Sequence, residues 1–226
     1  MNGDLMLFES ETPFLVELKS KDPEYNLAAE EYLFSQRREN FILIWRNSPC
    51  VIIGKNQCAE DEVSENYRNC IPVLKRITGG GAVYHDENNL NFSFIKNDSD
   101  IPSLSKYTKP IRDFLKTLGV ETDLSDKNDI LFQGKKISGT ASCVRNSRVL
   151  FHGTLLFKCD AEEMERILTP SKEKLLSNGV RSVKSRVGEI CSHINVNSVS
   201  DFQNLLKNYL VNAEKAQIMN INDIFL

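Results

Sequence analysis

The clearest hydrophobic pattern in the chain runs through Leu104, Tyr107, Ile111, Phe114, Leu115 and Leu118, a helical stripe that Gly119 stops. That spacing predicts an amphipathic helix closed by a C-terminal glycine. A second stripe, Tyr25, Ala28, Ala29, Tyr32 and Leu33, predicts a helix that starts near Asp22-Pro23 and turns this face inward. Two short aromatic and β-branched runs, Phe41–Trp45 and Cys50–Ile53, flank the polar turn Arg46-Asn47-Ser48-Pro49 and read as a buried hairpin. Residues 60–68 read as one short helix. Leu90, Phe92 and Phe94 alternate with Asn89, Asn91 and Ser93, which predicts a strand with one apolar and one polar face. Residues 128–133 and 148–157 are strand-like; in the second, Val149, Phe151, Leu155 and Phe157 share a face, with Leu150, His152 and Thr154 on the other. Asp160 with Glu163, and Ser200 with Gln203, have capping-box spacing ahead of helical runs, the later one over residues 201–210.

This order of elements lacks the regular strand–helix alternation of a doubly wound parallel sheet. It predicts an α+β fold, a mixed central β-sheet with flanking helices, as one domain over residues 1–226. The chain is 41% apolar and 26% charged, an ordinary folded composition, and is long enough to bury a core without disulfides or metals. A net charge of −3 argues against nucleic acid as the main partner. The longest apolar run is Phe41–Trp45, and Asp4, Glu9 and Glu11 stand where a signal peptide would be basic and then apolar, so no membrane span or secretion signal is expected. The six cysteines include no CxxC or short Cys/His pairing, which predicts reduced thiols in a cytoplasmic protein rather than a zinc site.

Three stretches carry candidate chemistry. In Arg76-Ile77-Thr78-Gly79-Gly80-Gly81-Ala82-Val83-Tyr84-His85-Asp86, three consecutive glycines suit a backbone that turns sharply or approaches a ligand closely, with charge at both ends. A loose hairpin turn is the alternative. The spacing matches neither a dinucleotide-binding nor a Walker-type glycine motif. Next, Asn128-Asp129 is followed by Gly134-Lys135-Lys136-Ile137-Ser138-Gly139. A lysine held at a strand end by glycines can present its ammonium to a phosphate and a carbonyl oxygen together, as acyl-phosphate chemistry requires, and Asp129 suits Mg²⁺ against substrate phosphates. A solvated turn is the alternative for both. Third, His152 in Phe151-His152-Gly153-Thr154-Leu155-Leu156 either orients a loop by hydrogen bonds or moves a proton.

In this order the segments resemble the lipoate–protein ligase A family: residues 22–31, Ile44-Trp45-Arg46-Asn47 with Val51-Ile52-Ile53-Gly54, Arg76–Asp86 with Asn89, Asn128-Asp129, Lys136-Ile137-Ser138-Gly139, His152-Gly153-Thr154-Leu155-Leu156, and residues 168–187 ending in Ser182-Val183-Lys184-Ser185-Arg186-Val187. The resemblance implies the biotin/lipoate protein ligase-like catalytic domain, which is class II aminoacyl-tRNA synthetase-like. It implies an enzyme that uses ATP and Mg²⁺ to convert lipoate to lipoyl-AMP and then acylates a lysine of a lipoyl carrier domain. The carriers implied are 2-oxoacid dehydrogenase E2 subunits or the glycine cleavage H protein. Lys136 would be the catalytic contact to carbonyl and phosphate, and Asp129 the metal side. The acyl-adenylate would be bound by Trp45, Arg76, Thr78, Gly79, Gly80, Gly81, Val83, Tyr84, His85, Asn89, Asn128, Ser138, Gly139, His152, Gly153, Thr154, Lys184 and Arg186. Cys143 stands seven residues beyond Lys136 where ligases carry arginine, with Arg145 nearest. The chain ends at Leu226, so no C-terminal accessory domain is expected; the chain alone is expected to transfer readily from preformed lipoyl-AMP but to make that adenylate slowly unless a separate small protein joins it. The alternatives are an ATP-independent lipoyl or octanoyl transferase acting through a cysteine, a lipoyltransferase using preformed lipoyl-AMP, and a non-catalytic binding module.

Overall fold

A computed structural model describes residues 6–9, 11–98, 104–168 and 187–224. Lys184, Arg186 and the rest of the basic stretch from Lys172 lie outside the described residues. The first elements are β1 (Phe14–Glu17), α1 (Pro23–Gln36), β2 (Phe41–Trp45) and β3 (Cys50–Ile53). Two single turns follow, α2 (Ala59–Glu62) and α3 (Glu65–Arg68), then β4 (Val73–Lys75), β5 (Val83–His85) and β6 (Asn89–Asn97). The second half holds α4 (Leu104–Thr117), β7 (Asp123–Leu124), β8 (Ile130–Phe132), β9 (Lys135–Arg145), β10 (Arg148–Leu156), α5 (Ala161–Ile167), α6 (Val199–Ala213) and β11 (Gln217–Met219).

A mixed eight-stranded sheet runs in the order β11-β1-β2-β6-β10-β9-β8-β7 and a small sheet in the order β4-β3-β5, which bears out the α+β, mixed-sheet expectation. Among the described strands of the large sheet, the parallel pairings are those of β1 with β11 and with β2. The hairpin expected from β2 and β3 does not form. Residues 46–49 instead carry the chain from one sheet to the other, where Val51 pairs with Val73 and Cys50 with His85. The missed hairpin is β9–β10, turned by Asn146 and Ser147 at φ 50 and 58. Both values suit the tight hairpin turn that follows strand twist.

The core lies on both faces of the large sheet. One face packs Leu90, Phe92, Phe94, Val149, Phe151 and Leu155 against Tyr107, Ile111 and Phe114 of α4 and Phe202, Leu206 and Leu210 of α6. The strand alternation read from sequence thus identifies this face. On the other face, Leu43, Trp45, Ile95 and Leu150 meet Ala29, Leu33 and Phe34 of α1. The start of α1 follows its sequence signal, since Asp22 Oδ1 accepts from the Glu24 amide at 2.9 Å and Pro23 fills the first turn. Its buried face is rotated from the expected one: Tyr25 is 38% exposed, while Asn26 and Glu30 are buried. Residues 60–68 break at Val63, whose side chain is buried in a third cluster with Tyr84 and Ile167. The N-cap of α6 is Ser198, two residues before the expected Ser200, and its hydroxyl accepts from the Asp201 amide at 3.1 Å. Among the described residues no helix is long and apolar enough to cross a membrane.

Candidate functional site

The polar faces of β6 and β10 are not solvated; α1 and the small sheet cover them. Register sets their side chains in rows, because residues directly opposite on paired strands share a face. One row reads Trp45–Asn91–Thr154–Gly139 across β2, β6, β10 and β9. The next reads Leu43–Ser93–His152–Ala141. The first row floors a cavity of about 240 Å³, roofed by Leu27 of α1 and by the glycine loop between β4 and β5.

That loop is built around a buried cation. Arg76 Nη2 donates to the carbonyls of Gly79 at 2.7 Å and Gly81 at 2.8 Å, and Nη1 donates to that of Ile52 at 3.1 Å. Its Nε donates to Thr78 Oγ1 at 2.9 Å, and that hydroxyl lies 2.8 Å from His152 Nε2. His152 Nδ1 is 3.0 Å from Glu30 Oε1, which also accepts from the Ser93 hydroxyl. Burial lowers the guanidinium's pKa and the charge of Glu30 opposes this. Among the described residues no carboxylate touches Arg76, so the loop presents a positive site whose described direct partners are neutral. Gly80 adopts φ +93, and a Cβ on Gly54 would stand 2.2 Å from the Gly80 oxygen, so two glycines let the loop lie against β3.

A second chain of hydrogen bonds crosses the floor, and its direction can be deduced. The carbonyls of Ser20 and Arg46 can only accept, so Asn26 Nδ2 faces them at 2.9 and 3.2 Å and also donates to Asn47 Oδ1 at 2.9 Å. Asn47 Nδ2 therefore donates to His85 Nδ1 at 3.0 Å. The proton of His85 must sit on Nε2, which donates to Thr154 Oγ1 at 2.8 Å. The Thr154 hydroxyl is left to donate to Asn91 Oδ1 at 2.7 Å. His85 stays neutral because burial, then the charges of Arg76 and His152, push its pKa down to about 3.

Linkage gives a prediction for this histidine. Its folded pKa lies below the unfolded value of about 6.5, so its contribution is complete above that pH and is lost as pH falls toward 3. In urea titrations, wild type should lose about 1.4 kcal/mol per pH unit relative to His85→Gln over that window. Parallel stability curves would show that burial does not hold this ring neutral.

Lys136 and Asp129 stand where this cavity meets a second one of about 600 Å³, walled by Tyr84, Leu131, Leu156, Met164 and Val187. Lys136 Nζ and Asp129 Oδ1 are 2.9 Å apart. The glycine at 139 permits this, since a Cβ there would lie 2.8 Å from the Lys136 ammonium. Asp129 is aimed by a turn in which Asn128 takes φ 63, tolerated by asparagine, and Ser125 Oγ accepts from the Asp129 amide at 3.0 Å. On the other side, the Gly188 amide donates to the Lys136 carbonyl at 2.9 Å. Burial pushes the Tyr84 phenol up to about 12, so it stays a neutral donor on the wall of the second cavity.

Of the residues expected at the site, Trp45, Arg76, Gly80, Gly81, Val83, His85, Asp129, Lys136, Gly139, His152, Gly153 and Thr154 line the first cavity, and Tyr84 lines the second. Thr78 and Gly79 brace the loop from behind. Asn128 shapes the turn and accepts from the Thr140 hydroxyl. Asn89 and Ser138 line neither cavity; Ser138 pairs opposite Leu155, on the face that packs against α4 and α6. Asn91, Lys127 and Ala141 line the first cavity without having been singled out, and Glu30 acts behind it. Asn91 was legible as a member of the polar strand face.

Residues 22–211 match the lipoyl protein ligase A/B catalytic domain. The lipoate–protein ligase LplJ of Bacillus subtilis is 40% identical over 199 residues, covering 85% of this chain and 60% of that protein. The chain thus spans about 60% of that relative's length. Among solved structures, a bi-partite lipoate protein ligase of Thermoplasma acidophilum superposes with TM-score 0.77 at 26% identity, over 93% of this chain and 86% of that one. A lipoate–protein ligase A bound with ATP gives TM-score 0.78 at 25% identity, over 92% and 88%. With the family's domain matched from the start of α1 nearly to the end of α6, this chain belongs to the lipoyl protein ligase A/B catalytic-domain family.

Proposed function

We propose that this chain activates lipoate with ATP and transfers the lipoyl group to a lysine of a lipoyl carrier domain, such as an E2 subunit or the H protein. The observation that carries this reading is the Lys136–Asp129 pair at the junction of an acyl-sized cavity and a larger one fit for a nucleotide. In the first step a carboxylate oxygen of lipoate attacks the α-phosphorus of ATP and pyrophosphate leaves. In the second, the uncharged amine of the carrier lysine attacks the acyl carbon, AMP leaves with the bonding electrons, and the proton lost from the amine passes to solvent. The ammonium of Lys136 meets the negative charge that develops on phosphoryl and carbonyl oxygens in both steps. Arg76 and its loop seat the carboxylate end, and Leu27 with the glycine loop roofs part of the cavity and limits the approach of water to the anhydride.

Among the described residues no cluster of three or more His, Cys, Asp or Glu could hold a resident metal. Asp129 alone fits a Mg²⁺ delivered with the nucleotide, since that ion takes one or two protein carboxylates and completes its shell with phosphates and water. Bound there, it would offset phosphate charge.

The test is intact mass of a lipoyl domain incubated with the chain and either lipoate with Mg·ATP or synthetic lipoyl-AMP. A lipoyl mass gain from lipoyl-AMP is expected, and its absence would contradict the reading. A gain from an acylated donor carrier without ATP would favour transfer through a cysteine. Cys143 is the cysteine nearest Lys136 in sequence, but it lines neither cavity and packs with the cluster beneath α1. Cys143→Ser should therefore retain most transfer activity; abolished transfer, with an acyl-enzyme adduct on wild type, would overturn the ligase chemistry.

A further inference from the structure

Glu30 of α1 is 1% exposed and lines neither cavity, yet both oxygens of its carboxylate face a residue that does. His152 Nδ1 lies 3.0 and 3.1 Å from them, and the Ser93 hydroxyl donates to Oε1. On its far side His152 Nε2 is 2.8 Å from Thr78 Oγ1, which accepts from Arg76 Nε at 2.9 Å. One chain of hydrogen bonds thus joins α1, β10 and the glycine loop. Leu27, one turn before Glu30 on α1, roofs the first cavity beside that loop, so the chain fastens the two parts of the roof to each other.

The links have fixed directions. A carboxylate can only accept, so a proton of His152 sits on Nδ1, and in the neutral ring Nε2 is left bare. A guanidinium N–H can only donate, so Thr78 Oγ1 accepts from Arg76 and turns its one proton to Nε2. All three bonds then point from Arg76 toward Glu30. An amide at residue 30 would not enforce this order. Its N–H could donate to Nδ1, move the ring proton to Nε2 and leave the Thr78 hydroxyl facing two donors. Burial disfavours the charge of Arg76, and Glu30 opposes that effect without touching the guanidinium.

We infer that Glu30 is a positioning residue of this site: by holding the His152 proton on Nδ1 it turns the Thr78 hydroxyl, and through it the Arg76 guanidinium, into the orientation that seats the carboxylate end of the substrate. The last clause rests on the proposed function; the relay itself does not.

Glu30→Gln keeps the side-chain volume and removes the fixed direction. The Arg76 Nε–H group gives a resonance in a ¹H–¹⁵N spectrum, identified by its loss in Arg76→Lys. Glu30→Gln should move that resonance upfield in the otherwise wild-type chain, and should leave it in place in a Thr78→Val background, where the relay is already cut. No movement in the first case, or equal movement in both, overturns the inference. In transfer from lipoyl-AMP, Glu30→Gln and Thr78→Val should each lower kcat/KM about tenfold, the scale of one hydrogen bond to a charged group. The double variant should lose no more than about tenfold, because both changes break one network. A loss near a hundredfold, the product of two independent defects, also overturns the inference. A wild-type chain that transfers nothing from lipoyl-AMP overturns the function reading alone, since the resonance decides the relay without turnover.

Discussion

Lys136→Ala is expected to slow adenylate formation by about 10²–10³-fold while leaving the fold intact. In the proposed reaction the ammonium meets the charge that develops in both steps, and its side chain is 33% exposed. Its pairing with Asp129 is a partly exposed ion pair, screened by solvent and worth only ~0–1 kcal/mol to stability. The loss should therefore appear in catalysis and not in unfolding. Pyrophosphate release with lipoate and Mg·ATP, set beside a urea titration of the same protein, checks this. Release at the wild-type rate would show that Lys136 does not carry the charge.

Gly54→Ala should impair both stability and activity, although Gly54 lines neither cavity. Its Cβ would lie 2.2 Å from the Gly80 oxygen and 3.2 Å from the Gly80 carbonyl carbon, and backbone cannot swing aside as a side chain can. The glycine loop must shift, against the hydrogen bonds through which Arg76 ties Gly79 and Gly81. Overpacking of this sort costs about 1–3 kcal/mol, and a displacement near 1 Å at a reacting site costs roughly 10²-fold in rate. Gly79→Ala should be milder, because nothing lies within 4 Å of the Cβ it would add. Transfer from lipoyl-AMP and thermal unfolding of both variants provide the comparison; an active, stable Gly54→Ala protein would contradict the close approach.

What was legible in the sequence follows from distance along the chain. The cap of α1, the glycine loop and the strand-end lysine are local features, and each lies where its local chemistry places it. The rotation of α1 was not local: Asn26 and Glu30 are buried because partners at Asn47, Ser93 and His152 satisfy them. Periodicity ranks such residues as solvent-facing. The absent β2–β3 hairpin has the same origin, since each strand has better partners elsewhere, β6 for one and β4 and β5 for the other. Asn89 and Asn91 share a strand face, yet only Asn91 lies over the cavity, a difference set by register with β2 and β10. The approach of Gly54 to Gly80 joins two glycines that nothing local connects.

In the proposed reaction the two cavities hold the acyl and nucleotide halves of one intermediate, joined at Lys136. A crystal structure with a non-hydrolysable acyl-sulfamate analogue of lipoyl-AMP tests it most directly. The acyl arm is expected along Gly139, Thr154, Asn91 and Trp45, the sulfamate at Lys136, and the nucleoside against the Tyr84 and Leu156 wall. An adenosine lodged in the cavity under α1, or a sulfamate out of reach of Lys136, would contradict it.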